Sequence, residues 1–272
     1  MVPSGKLPAR SADGWAAVLG REQVITLAGL ACVVALAWLY LLRLSRQMSD
    51  MAAMGMAQMA AWTVSDVVMT TAMWAIMMVA MMLPTAAPMI LMFATINRKR
   101  RVEDEARYVD TGLFTLGYLL LWCAFSVGAA LAQWAFHGAT LLSEDATKAT
   151  PWLGSGLLVA AGIYQWSPLK YACLARCRSP LGFLLGEWRA GGAGALIMGL
   201  RYGLFCLGCC WVLMALLFIG GVMNLTWVAA ITVFVVAEKL VPAGRAVSWA
   251  TGAVLCGWGL IALRHAWTWA PR

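Results

Sequence analysis

The chain reads as all-α, a polytopic transmembrane helical bundle of about seven spans, and three observations lead to that reading. Hydrophobic residues fill 62% of the 272 positions and charged residues only 12%, against roughly 45–50% and 25% in a soluble domain. Several apolar runs reach the roughly 18 residues that cross a hydrocarbon core about 30 Å thick. These runs lack the dyad alternation of barrel strands, so helices carry them.

Each element follows in order. Residues 1–23 form a polar tail with Lys6, Arg10 and Arg21. The run 24–42 is too long for a signal-peptide core and has no small-residue cleavage site, so it is read as an uncleaved first span. It opens a transmembrane bundle covering 24–265. A Met/Ala segment at 48–62 is expected outside the membrane. The second span, 66–96, contains Pro84 and Pro88 and is expected to be kinked or broken. A third span covers 111–136 and a fourth about 152–166. Lys170, Arg176, Arg178 and Arg189 make 167–193 too polar to cross, and this segment is expected to lie on the inner membrane surface. The fifth span is 194–218, a tight Gly220-Gly221 turn leads to the sixth at 226–237, and the seventh is 247–263. A short tail, 266–272, ends the chain.

Charge sets the orientation. With the N-terminus inside and the C-terminus outside, the outer face keeps only Arg43, Arg46, Lys148, Arg264 and Arg272 of the 20 Lys and Arg residues, as the positive-inside rule asks. Basic residues placed in short clusters between apolar runs describe topology, and no nucleic-acid partner is expected. The lipid bilayer is the first partner. Eight cysteines do not make a disulfide framework here, because most lie in apolar runs or in a basic inner segment where thiols stay reduced.

Sulfur carries the chemistry that the sequence offers. Thirteen of the 17 methionines fall between Met48 and Met92. Met51, Met54 and Met56, with Met48 and Met59, sit in the outer segment, where a solvated thioether gains nothing from packing. A thioether is a soft, neutral ligand suited to Cu(I) where cysteine would oxidise; the alternative is an amphipathic surface helix using Met as an adaptable apolar residue. Met73 and Met77 continue the theme, with Met69, at four-residue spacing on one helix face, although here Met as packing filler is the favoured reading. In the fifth span Cys206, Cys209 and Cys210 stand at i, i+3 and i+4, within roughly a 100° arc, and their sulfurs are expected to converge on one soft ion near mid-membrane. Buried packing is the competing account. Cys173 and Cys177 stand four apart in 167–193, where Arg176 and Arg178 are expected to favour thiolate. Cys32, Cys123 and Cys256 are read as packing. Glu238 and Lys239 are expected to snorkel to the inner interface. His137 and His265 fall near the outer face.

The stretches Trp74-Ala-Ile-Met-Met-Val-Ala-Met-Met-Leu-Pro84, 164–180, and 198–211 running on to 238–240 resemble a bacterial family of integral membrane proteins identified only as predicted metal-binding. The resemblance implies a multi-pass bundle with a metal site at Cys173, Cys177, Cys206, Cys209 and Cys210. Tyr202 departs from the histidine expected in many relatives.

These features favour a copper(I)-handling protein of the bacterial inner membrane, which binds, transfers or transports Cu(I) with outer methionines and intramembrane cysteines. Its expected partners are a periplasmic copper chaperone or a cuproenzyme. One alternative is a transmembrane thiol-disulfide conduit exchanging through Cys206 and Cys209. Another is a non-catalytic subunit of a membrane complex, packing through Gly-rich faces such as 191–194. No hydrolase triad, P-loop or dinucleotide fingerprint is present, and enzyme catalysis is not expected.

Overall fold

The computed structural model describes residues 21–53, 63–100, 106–142, 148–241 and 244–268, and these form an all-α structure. The helices are α1 Arg21–Ala53, α2 Val64–Arg100, α3 Ala106–Gly138, α4 Pro151–Gln165, α5 Pro168–Arg178, α6 Pro180–Glu187, α7 Gly191–Ala215 with a last turn at Leu217–Gly220, α8 Leu225–Leu240 and α9 Gly244–Thr268. Five of them, α1, α2, α3, α7 and α9, are long and apolar enough to cross a membrane. That number marks a multi-pass membrane protein. The fourth and sixth expected spans are α4, 15 residues, and α8, 16 residues. At 1.5 Å per residue they cover only about 22 and 24 Å.

α2 is the central helix: 61% of its most apolar stretch is buried, against 11% for α1. Pro84 and Pro88 lie inside it without ending it. Each proline removes one backbone donor, and hydroxyls approach the carbonyl of Met82 between the two affected turns. Thr85 Oγ1 donates to it at 2.8 Å and Tyr118 OH at 3.0 Å. The span expected to be kinked or broken is not broken, and the Met82 carbonyl within it has two side-chain donors.

Two helix pairs pack closely, α3 with α7 and α4 with α9. A Cβ at Gly199 or Gly117 would strike the facing backbone of α3 or α7, and one at Gly162 would strike α9 at Cys256. Small residues let helix backbones approach where lipid supplies no hydrophobic drive. Between α7 and α8 the chain reverses at Gly221, whose φ of +93° favours glycine. Outward-facing Leu36, Leu39, Trp134, Val254, Trp258 and Leu260 form an apolar exterior.

The 167–193 segment, expected at the inner surface, packs along α7. Cys173 of α5 meets Gly208, Phe183 of α6 packs edge-on against Tyr202 and Phe205, and the Arg189 backbone N–H points at Met198 Sδ, 3.4 Å away. α5 to α6 therefore follows α7 from its middle toward its N-terminal end.

Candidate metal centre

α7 is apolar around most of its surface, and its three clustered cysteines face the bundle interior. Cys206, Cys209 and Cys210 are all buried. Two of these thiols turn toward the same backbone carbonyl. Cys209 Sγ donates to the Cys206 carbonyl at 3.1 Å and Cys210 Sγ donates to the same carbonyl at 2.9 Å, the back-bonding that short polar side chains make to the preceding turn of a helix. Among the described residues no group of three or more His, Cys, Asp or Glu side chains is placed to hold a metal ion.

Across the helix interface, Met82 Sδ of α2 lies 3.9 Å from Cys210 Sγ. Two sulfurs each about 2.3 Å from one ion stand about 4 Å apart when their bonds diverge by 120°. A thiol and a thioether form a soft donor pair, which selects Cu(I) over harder ions. The donor chemistry and the separation are compatible with a soft ion such as Cu(I).

Cys206 has a different setting. Lys239 Nζ lies 3.0 Å from its sulfur and 2.8 Å from Thr85 Oγ1, and Tyr118 OH lies 3.2 Å away. Lys239 does not snorkel; like Glu238, it is buried in the bundle. The reason is specific to the packing. α8 presents consecutive residues to two different neighbours, so Glu238 reaches Lys170 of α5 at 2.7 Å and Ser248 of α9 at 2.8 Å, while Lys239 reaches α7 and α2. Gln165 also accepts from Lys170. Lys239 lies in the last turn of α8, where the helix carbonyl end favours a cation.

α5 brings the second cysteine pair to the first. Cys173 and Cys177 are buried. Cys173 Sγ sits 2.6 Å from where a Cβ would stand on Gly208, so only glycine leaves room for it. The Gly208 carbonyl accepts from Tyr164 OH. Arg176 and Arg178, expected to favour thiolate here, point elsewhere: Arg176 lies over the Phe205 ring at 5.8 Å and Arg178 donates to the Val241 carbonyl. Residues next to a cysteine on a helix leave on other faces, so sequence proximity did not become contact.

Of the methionines singled out, Met77 is fully buried, Met73 is partly buried and Met69 is exposed. Met54 and Met56 lie outside the described residues, as does the side chain of Met51. Cys32 and Cys123 are exposed and Cys256 is intermediate. Sequence reasoning did not single out Tyr118, Thr85 and Lys170, or rank Met82 above its neighbours. The adjacent Glu238-Lys239 pair at the end of an apolar run was the signal available, since ionisable residues at membrane depth ask for named partners.

A family model described as PpoB2, copper chaperone, matches residues 71–262, well over half of the chain. The chain belongs to the PpoB2 copper chaperone family. The matched region holds Met82, Tyr118, all five clustered cysteines and Lys239, and membership in this family implies copper handling. No curated protein and no solved structure matches the chain.

Proposed function

We propose that this PpoB2-family protein holds Cu(I) inside the membrane on Cys210 and Met82, with Cys206 as a third soft donor, and exchanges it along a row of sulfurs. The observation that carries the reading is the 3.9 Å approach of Cys210 Sγ to Met82 Sδ beside a thiol in contact with a buried ammonium. A bare thiolate is costly in a low-dielectric interior; the ammonium offsets that cost. Cys173, alongside Gly208, and the buried Cys177 supply the next soft ligands. Copper moves by exchanging one sulfur for another, so no step needs free solvent.

In the same reading the protein resides in the bacterial inner membrane with its N-terminus inside and C-terminus outside. Met51, Met54 and Met56 gather Cu(I) at the outer face, Met73 and Met77 mark the path inward, and a periplasmic cuproenzyme or copper carrier is the exchange partner. The expected division into outer Met-rich segment, bundle and tails belongs to this proposal.

The test is metal content by inductively coupled plasma mass spectrometry on protein purified anaerobically in detergent from copper-supplemented cells, beside Cys206→Ser, Cys210→Ser and Met82→Ala variants. Near-stoichiometric copper that falls in the variants is expected. Metal-free protein in which Cys206 and Cys209 cycle between thiols and a disulfide would overturn the copper site and favour the thiol-disulfide conduit.

A further inference from the structure

The buried charges around the sulfurs are unequal. Glu238 serves Lys170 and Ser248, whereas Lys239 contacts the Thr85 hydroxyl and the Cys206 sulfur. An ammonium therefore stands against a candidate metal ligand, and among the described residues no carboxylate bonded to it shares the charge. Its 3.0 Å contact with Cys206 Sγ, added to a sulfur–metal bond of about 2.3 Å, keeps the ammonium within about 5 Å of an ion bound on that sulfur.

From this placement we infer that Lys239 is the charge-selective residue of the sulfur site, admitting a soft monovalent ion and disfavouring a soft divalent one. The inference rests on the sulfur site proposed above and adds a specificity-determining residue to it. Two thiolates and one ammonium carry a net charge of −1, which a monovalent ion cancels and a divalent ion overshoots. Softness alone does not make this choice, because thiolates accept soft ions of either charge. One extra unit charge about 5 Å from a fixed ammonium, at an effective dielectric of about 20, weakens binding by on the order of a hundredfold. Salt does not screen a buried pair as it screens exposed charges. The sulfurs favour the higher charge in every variant, so a change in the ratio of two metals on altering Lys239 isolates the ammonium.

The experiment is a competition between Ag(I) and Cd(II), soft ions of different charge and no redox activity, for the full-length protein stripped of metal in detergent. Bound metal is counted by mass spectrometry after desalting, and a Cys206→Ser, Cys210→Ser double variant supplies the background of other sulfurs. Wild type is expected to retain Ag(I) in preference to Cd(II). Lys239→Met and Lys239→Gln are expected to shift the ratio toward Cd(II) by on the order of a hundredfold, and Lys239→Arg to stay near wild type. The glutamine variant keeps a polar contact available to Thr85 and guards against misfolding of the methionine variant. A ratio unchanged in both neutral variants, with both metals still bound above background, would overturn the selectivity role alone. Wild type that binds neither metal above background would overturn the sulfur site and this inference with it.

Discussion

Lys170 and Lys239 are two buried cations brought to adjacent positions of α8, and their partners differ in kind. Lys170 meets Glu238, 2.7 Å away, with Ser248 and Gln165 completing the group. That set is closed: a cation, an anion and neutral dipoles pin α5 to α8 and α9. Lys239 meets a thiol and a hydroxyl, groups that can exchange a proton or a metal. The first arrangement holds helices together, and the second can change its occupant. A difference of one residue on α8 separates a lysine paired with a carboxylate from one held by a thiol and a hydroxyl.

The largest effect should come from breaking the closed set. Lys170→Met leaves Glu238 buried without its cation and is expected to destabilise the protein by about 3–5 kcal/mol, measured as the shift in denaturant unfolding in detergent. Gly208→Ala drives a Cβ against Cys173 Sγ and should cost about 1–3 kcal/mol while displacing α5, so a loss of copper with retained secondary structure is the outcome to look for by circular dichroism and metal analysis. Lys239→Met should cost about 1 kcal/mol or less, because its partners are left neutral or become so. A loss as large as that of Lys170→Met would erase the contrast. The smallest effect belongs to Met69→Ala. Its side chain is 73% exposed, so stability should stay within about 0.5 kcal/mol and copper content should not change; a large drop in copper would bring the outer face of α2 into the binding site.

The fold class was legible because hydrophobic length and the scarcity of charge are properties of composition. The cysteines of α7 were legible as a group for a similar reason: helical spacing puts i, i+3 and i+4 on one face whatever surrounds them. Their rotamers were not. Cys209 and Cys210 turn back onto the Cys206 carbonyl, and the thioether that meets Cys210 comes from Met82, one of several similar methionines on α2. Sequence spacing favoured Met73 and Met77, but spacing along one helix carries no information on the depth at which another helix crosses it. The arginines beside Cys173 and Cys177 mislead in the same way, since neighbours in sequence diverge around a helix.

By itself the sequence determined an all-α membrane bundle and a set of candidate soft ligands, many of them on α2 and α7, because lipid admits only backbone that satisfies itself and because sulfur is recognisable wherever it lies. Tertiary structure decided which sulfurs meet, which lysine receives a carboxylate and which a thiol, and that α5 packs against α7. Those outcomes depend on helix rotation and relative depth, which arise from close contacts such as Gly199 against Phe114 and Cys173 against Gly208 and are encoded only in pairs of residues far apart in the chain.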